Sequence, residues 1–526
     1  MKVLETRRST LAFWFGCLIV TGGVVLHLPM YLMGSNNHYV LAGMPMDAGM
    51  YWGMAAIIVG IVLTGYGLLP RISASAERVI EVIVPPESAP LTSRHWAMAG
   101  LLALALIIDI MKPASLGFVT PGMRAEYAVS KQMVAWLPLA ALTGTVIGSF
   151  VWGALADLYG RRAAILLSSV MFIGTSICGA MPGFWWNVGM CALMGAAAGG
   201  MLPVAYALLA EIMPTRHRGW SLVLVGGIGA VGGVLAASSL SALLQPTFGW
   251  RIMWFLNLPT GLLLILLSPL LPESARFLQQ MGRGAEARAM LARFGVTALD
   301  AVTAAAPPLP HHSHVKDYLP PVDHQFAGTT WALTLVALAW GLINFGVLLW
   351  LPSALVAEGR SVAAASALIA QSTLIAAPTI LLSTWLYSAW STRGALMVML
   401  GITTLGLVGL GLRGSADIFA NPILDLTLLI VGACGVISIL MPYAAENYPL
   451  RIRGRATGWV AGCSKLGGLL AQGLSVAGAV PPLAVAATVI AAPVLMALLL
   501  IARFGRETRG RDLRDMETAG GRVARA

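Results

Sequence analysis

Charged residues are scarce in this sequence. Only 10% of its 526 residues are charged, whereas 58% are hydrophobic and the mean hydropathy is +0.81. A soluble protein could not bury that much apolar surface, so a soluble fold is excluded and a bilayer is indicated. Basic residues outnumber acidic ones by 33 to 22, which gives a net charge of +11. This excess is expected of cytoplasmic loops in a membrane protein, so no nucleic-acid partner is predicted.

Motifs for metal binding and enzymatic catalysis are also missing. All five cysteines lie inside apolar runs and none has CxxC spacing, which predicts buried apolar side chains. No HExxH, GxSxG or Walker pattern occurs, so an enzyme is disfavoured. His311, His312, His314 and His324 lie close in sequence, but no Cys or carboxylate cluster accompanies the first three. We therefore predict neither a metal site nor a cofactor.

The apolar residues form long continuous runs, which predict membrane helices rather than the alternating strands of a barrel. The first run, 11–33, is longer than the apolar part of a signal peptide and a second follows at 50–69, so both are interpreted as membrane helices. Twelve more runs follow, near 96–118, 132–156, 163–181, 185–209, 220–243, 250–271, 331–352, 363–387, 394–412, 421–444, 456–478 and 481–503. We predict an all-α polytopic membrane protein with about fourteen spans.

The charge of the loops predicts the orientation. If the amino terminus is inside, the predicted inner connections are rich in arginine and the outer ones carry few basic residues. We therefore expect a multi-pass protein of the inner (cytoplasmic) membrane with both termini in the cytoplasm.

A repeated motif predicts an internal duplication. The pattern A-E-x-x-P-x-R-x-R-G occurs at 210–219 and again at 445–454, 235 residues later, each time between two apolar runs. The duplication predicts two six-helix bundles, 96–271 and 331–503. Two extra helices with a linker precede them in 1–95, a cytoplasmic loop joins them in 272–330, and 504–526 forms a tail. Within the loop, 273–294 is expected to form a short amphipathic helix and 298–326 a flexible linker.

Several motifs resemble those of the major facilitator superfamily. Residues 153–162, GALADLYGRR, resemble its signature between the second and third core helices, and PESARFL at 272–278 and GWR at 249–251 accompany it. ETRGRDL at 507–513 is similar to the carboxy-terminal motif of sugar porters. Residues 109–121, DIMKPASLGFVTP, resemble the first helix of aromatic-acid/proton symporters, although Lys112 replaces their second acid. The resemblance covers about 96–515 and implies the major facilitator fold.

The resemblance also implies a cytoplasmic gate. Gly153 and Gly160 would let helix ends approach, Asp157 would face a helix amino end, and Arg161 and Arg162 would pair with Glu211. Arg218 would continue this network. The counterpart in the second half, WLYSAWSTRG at 385–394, lacks the acid, so Glu446, Arg451 and Arg453 are expected to act there alone. The alternative is that these arginines only anchor the loops in the cytoplasm.

Ionisable residues inside the membrane are candidates for the substrate and proton pathway, because they are costly there. Asp109 and Lys112 lie one turn apart, so either they neutralise each other or Asp109 carries a proton while Lys112 attracts an anion. Lys465 lies in the middle of a run, and we expect it to face a cavity rather than to reach the membrane surface. Further polar candidates are Tyr206, Asn344 and Gln371, although each is equally suited to helix packing.

The leading hypothesis is a secondary active transporter that takes up a small organic solute, an organic acid first, by alternating access driven by protons. The alternatives are a sugar or polyol porter, a drug or metabolite exporter, and a membrane sensor that does not transport. Intact gate motifs argue against a sensor, because a sensor has no need to alternate. The expected partners are the substrate, protons and the lipid bilayer, and a monomer is expected.

Overall fold

The described part of the chain folds into helices. The computed structural model describes residues 7–68, 90–281, 283–295, 326–412, 422–448 and 450–509, and these contain no strand. Thirteen helical segments among them are long and apolar enough to cross a membrane. Helix Leu450–Val476 also has the length of a span. The total of fourteen confirms the predicted all-α polytopic class.

Contacts divide the chain into two compact units. The first comprises Met1–Arg218 and Leu240–Leu309, and the second comprises Gly219–Ser239 and Pro310–Ala526. The division therefore passes through one long helix, Thr215–Phe248, as well as through the central connection. All five cysteines are buried, as predicted.

The amino-terminal part of the first unit is a pair of helices with a short third one between them. These are α1 (Arg7–Val25), α2 (Leu28–Met33) and α3 (Ala48–Leu68). The first predicted run is broken after Val25, because Pro29 cannot donate the next helical hydrogen bond. α1 and α3 approach backbone to backbone at glycines, as when Gly23 and Gly53 face each other's carbonyl oxygens.

Residues 93–266 form the helices expected for the first bundle. They are α4 (Ser93–Glu126), α5 (Lys131–Val134), α6 (Trp136–Tyr159), α7 (Arg161–Gly174), α8 (Phe184–Ala198), α9 (Met201–Ile212), α10 (Thr215–Phe248), α11 (Ile252–Phe255) and α12 (Asn257–Leu266). α7 continues as a 3-10 turn over Thr175–Ala180. The predicted run 185–209 is two helices, α8 and α9, separated at Gly199 and Gly200.

The central connection begins with two short helices rather than the single one predicted. These are α13 (Ala275–Gln280) and α14 (Gly284–Arg293). The predicted linker 298–326 lies outside the described residues except for Phe326, and so do His311, His312, His314 and His324.

The second unit contains the helices expected for the second bundle. They are α15 (Ala327–Leu342), α16 (Leu348–Ala357), α17 (Val362–Ala376), α18 (Thr379–Trp385), α19 (Thr392–Gly411), α20 (Pro422–Asn447), α21 (Leu450–Val476) and α22 (Leu483–Phe504). π-helical turns at Ile343–Val347 and Leu386–Trp390 interrupt two of the predicted spans. Such turns are rare and recur at functional sites.

Candidate functional site

The junction between α6 and α7 holds a cluster of charged residues in the first unit. We call Asp157, Arg161, Glu211, Glu273 and Ser274 the first junction cluster. Nη1 of Arg161 donates to Oδ1 of Asp157 over 3.0 Å, and its Nη2 lies 3.6 Å from Oε1 of Glu211. The Ser274 hydroxyl donates to the other oxygen of Glu211. A single arginine therefore ties the ends of α6 and α9 to the start of α7.

Two further predicted gate residues join this cluster. Arg218, near the start of α10, interacts electrostatically with Glu211. The backbone N–H of Arg162 points to Oε1 of Glu273 at 3.4 Å. The predicted set Asp157, Arg161, Glu211 and Arg218 is thus brought together around one carboxylate.

Glu273, which the sequence analysis did not select, caps the start of α7. Its Oε1 accepts hydrogen bonds from the backbone N–H groups of Arg161 at 2.8 Å and Ser274 at 2.9 Å. A carboxylate is stabilised there by the unpaired amides and the helix dipole. Burial nevertheless raises the pKa of Glu273 above its usual value, against the lowering effect of these bonds.

The two glycines of the signature have different surroundings. Gly160 has φ +100° and ψ 156°, and a Cβ there would collide with the carboxylate of Glu273. Only glycine adopts that conformation readily, so this residue brings the glutamate onto the helix start. A Cβ on Gly153 would meet no atom within 4 Å among the described residues. The expected close helix approach at Gly153 is therefore wrong for this conformation.

The second unit contains a corresponding group at the start of α19. We call Tyr387, Thr392, Glu446, Glu507 and Thr508 the second junction cluster. Oε1 of Glu507 accepts from the backbone N–H of Thr392 at 3.0 Å and from its hydroxyl at 2.7 Å. Oε2 of Glu446 accepts from the Tyr387 hydroxyl at 2.6 Å and from the Thr508 hydroxyl at 2.7 Å. This cluster therefore contains no Asp157 counterpart and uses a tyrosine where the first uses an arginine.

This arrangement corrects the expectation that Glu446, Arg451 and Arg453 act alone. Hydroxyl groups of Tyr387 and Thr508 hydrogen-bond to Glu446, because the segment after α22 returns to the junction. The side chains of Arg451 and Arg453 lie outside the described residues.

The two clusters share one geometry. In each, a glutamate caps the helix that follows the junction, and the hydroxyl of the next residue donates to a second glutamate. The capping residues are Glu273-Ser274 in the first unit and Glu507-Thr508 in the second. A usable signal was present, since E-S and E-T each follow the last helix of their bundle. It was overlooked because the rest of the two motifs differs.

Asp109 and Lys112 lie in the interior of the first unit. Both are on α4 and buried, with 6% and 2% of their surface exposed. Nζ of Lys112 lies 2.9 Å from the centre of the Phe172 ring on α7 and has no hydrogen-bond partner among the described residues. Asp109 interacts with this ammonium group electrostatically. The structure therefore places the lysine against an aromatic face, with the acid one turn away.

Lys465 lies in the second unit, where α21 packs closely on α15. Its Nζ is 5.1 Å from the ring centre of Phe345, and the side chain is half-buried. Phe345 belongs to the π-helical turn that follows α15. The close packing depends on glycine, because a Cβ on Gly467 would collide with the carbonyl of Leu338.

The three polar candidates lie on three different elements. Tyr206 is half-buried on α9, Asn344 is half-buried in the π-helical turn next to Phe345, and Gln371 is exposed on α17. Only Asn344 is a sequence neighbour of a residue that contacts one of the lysines.

Comparison with known proteins agrees with this architecture. Residues 101–472 match the sequence model of the Major Facilitator Superfamily. The niacin transporter NiaP of Acinetobacter baylyi is 24% identical over 390 residues, which cover 73% of this chain and 87% of that protein. The gallate transporter of Pseudomonas putida is 25% identical over 410 residues, which cover 75% of this chain and 87% of that protein.

A solved structure supports the fold. The proton:xylose symporter XylE of E. coli aligns with a TM-score of 0.62 and 17% identity, covering 81% of this chain and 99% of that protein. At this identity the likeness shows the fold alone, and it confirms the predicted major facilitator fold. Helices α1 to α3 precede the residues that match the family model, in agreement with two extra amino-terminal spans.

Proposed function

Because the chain belongs to the Major Facilitator Superfamily, and is thus a transporter rather than an enzyme, we propose that it imports a small aromatic or other organic acid with protons. The observation that carries this proposal is that each unit holds one membrane-embedded lysine beside an aromatic ring. The pairs are Lys112 with Phe172 and Lys465 with Phe345. A cation and a ring together suit an aromatic carboxylate, because one binds the charge and the other the apolar body.

The names of the relatives support the same class of substrate. Niacin and gallate, the substrates named for two of them, are both aromatic acids. Lys112 is nearly inaccessible in this conformation, so a substrate would reach it only after a conformational change. A transporter that works by alternating access makes such a change in every cycle.

We assign proton coupling to Asp109. It is an acid inside the membrane, one turn from a lysine whose charge it partly balances. Protonation of Asp109 would remove that balance and leave Lys112 more attractive to an anion. Proton binding would thereby favour substrate binding, which is what symport requires.

The two junction clusters are proposed to act as gates at the cytoplasmic side. Each ties three helix ends together through hydrogen bonds to carboxylates, and these bonds must break when those ends separate. This assignment places both termini in the cytoplasm and the chain in the inner membrane.

The test is uptake into proteoliposomes. Purified protein is reconstituted, an inside-alkaline pH gradient is imposed, and accumulation of labelled nicotinate, gallate and xylose is measured. The proposal expects concentrative uptake of at least one acid and none of xylose. Accumulation of xylose alone would favour the sugar porter, and absence of uptake and counterflow for all three would contradict the proposal.

The role of Asp109 is tested in the same vesicles. Asp109→Asn should abolish accumulation driven by the pH gradient but retain exchange of labelled acid against unlabelled acid. If Asp109 only neutralises Lys112, the double variant with Lys112→Met should recover pH-driven accumulation. That recovery would contradict the assignment of Asp109 as proton carrier.

A further inference from the structure

The segment between α2 and α3 is bound to the end of α4. We call residues 34–47 the strap. The backbone N–H groups of Leu41 and Ala42 donate to Oε1 of Glu126, the last residue of α4, over 2.7 and 3.0 Å. Glu126 is therefore the point at which the extra amino-terminal helices hold the first helix of the bundle.

Glu126 also connects α4 to other elements of the first unit. Its carboxylate lies 2.5 Å from Nη2 of Arg251 and accepts from Nε1 of Trp250 at 2.7 Å. Arg251 is fully buried and also donates to the carbonyl oxygens of Gly179 and Met181. A buried ion pair of this kind is stable only when its remaining hydrogen-bonding groups are satisfied. The two strap amides donate to Oε1, the same oxygen that accepts from Nη2 of Arg251.

The strap is held in an unfavourable backbone conformation. His38 and Tyr39, neither of them glycine, have φ of +48° and +60°. Consecutive left-handed residues persist only where surrounding contacts fix them. Those contacts are present, because the Tyr39 ring stacks on Tyr31 at 4.7 Å and the Tyr31 hydroxyl donates to the carbonyl of Phe248 on α10.

Two prolines inside α4 make this helix easy to bend. Pro113 and Pro121 lie inside it, between Lys112 and Glu126. Each proline removes one helical hydrogen bond and favours bending at that point. The part of α4 beyond Pro113 is therefore the part most easily displaced, and it begins directly after Lys112.

We propose that Glu126 is a positioning residue, through which the strap and helices α1 to α3 fix the part of α4 beyond Pro113, which directly follows Lys112. The extra helices are then part of the transport unit rather than a separate anchor. The hydrogen-exchange test of this inference does not depend on the substrate, whereas the transport test rests on the proposed function.

Hydrogen exchange of the purified full-length protein tests it. Ala42→Pro removes one strap donor, and Glu126→Gln weakens the acceptor while keeping its shape. Ala42→Pro should speed exchange of the amides in 114–127 about tenfold, because a hydrogen bond to a charged group is lost, and leave 93–112 unchanged. Glu126→Gln should speed it further, because the buried Arg251 also loses its charged partner. Ala48→Pro is the matched control, since it adds a proline to the first turn of α3, where no N–H is needed, away from Glu126.

The outcomes distinguish a strap that positions α4 from a strap that only covers it. Faster exchange in 114–127 for Ala42→Pro, with none for Ala48→Pro, supports the proposal. If Ala42→Pro speeds exchange only within 34–47, the strap is a passive cover and the proposal is overturned. In vesicles that accumulate nicotinate, Ala42→Pro should raise KM several-fold with little change in maximal rate. An unchanged KM would overturn the positioning role even if α4 is loosened.

Discussion

At the scale of single residues, Glu273 and Glu507 cap corresponding helices, but their pKa values are shifted in opposite directions. Burial raises the pKa of Glu273 above its ordinary value of 4.5. Burial acts in the same direction on Glu507, but hydrogen bonds from Ser391, Thr392 and Arg509 outweigh it and lower its pKa to about 2. The difference follows from burial and from the donors, because Glu273 is buried and Glu507 only half-buried, and one oxygen of Glu273 has no hydrogen-bond partner among the described residues.

This contrast predicts opposite pH dependences of stability. The raised pKa of folded Glu273 contributes stability that is present below pH 4.5 and is lost as the pH rises through the pKa of the folded state. The stability of Glu273→Gln relative to the wild type should therefore increase as the pH rises from 4.5. A lowered pKa contributes stability that is present above pH 4.5 and lost as the pH falls towards 2. Glu507→Gln should therefore be less stable at pH 7, by about 1–2 kcal/mol, and approach the wild type in acid.

Thermal unfolding of the purified variants between about pH 2 and 8 measures both effects, since the Glu507 contribution is lost only below pH 4.5. Each variant serves as the control for the other, since both replace a glutamate at a helix start by its neutral isostere. Parallel pH profiles for the two variants would contradict the assignment of different environments.

A second prediction compares the two glycines of the signature. Gly160→Ala should destabilise the protein by about 2 kcal/mol or more, because its φ of +100° strains alanine and its Cβ would displace Glu273. Gly153→Ala, seven residues earlier, should be neutral or stabilising by up to about 1 kcal/mol, since it has open space in a helix. Melting temperatures of the two variants check this. Equal destabilisation of the two variants would contradict the role assigned to the positive φ of Gly160.

At the scale of elements, the sequence is sufficient to predict the helices but not the interruptions within them. Apolar runs about twenty residues long predict spans because the bilayer imposes that length. The breaks after Val25 and at Gly199, and the π-helical turns in the second unit, depend on local packing that a hydropathy pattern does not contain. The proline at position 29 was the one visible sign of such a break.

The contact between α6 and α8 predicts a sensitivity that hydropathy cannot reveal. Gly195 on α8 lies so close to α6 that a Cβ would collide with the carbonyl of Ala141, whereas Gly189 on the same helix has open space. Gly195→Ala should therefore cost about 1–3 kcal/mol through overpacking, and Gly189→Ala should cost little. Unfolding of the two variants in detergent is the measurement, and similar losses would argue against close packing at this point.

At the scale of the whole molecule, the family resemblance predicted most contacts of one junction cluster and few of the other. The first could be predicted because Asp157, Arg161 and Glu211 are charged and belong to motifs that resemble those of the superfamily. The second depends on Glu507 and Thr508, which follow the last helix, and on the tyrosine hydroxyl of Tyr387, which a search for charges overlooks. The boundaries of the bundles at 96–271 and 331–503 remain a prediction.

The last prediction concerns the charge of the substrate. Each unit holds one lysine beside a ring, but Asp109 partly balances Lys112, so Lys465 should contribute more to binding an anion. Removing one member of a buried charge pair costs about 3–5 kcal/mol, so Lys465→Met should weaken binding of nicotinate or another transported acid severely without lowering expression. Lys465→Arg should be tolerated only in part, because a planar guanidinium does not replace a compact ammonium.

Titration calorimetry measures the affinity of both Lys465 variants, with Lys131→Met as the control, since Lys131 starts the short α5 outside the long helices. Unchanged affinity in Lys465→Met, or a neutral transported substrate, would exclude the organic-acid assignment and favour the sugar porter.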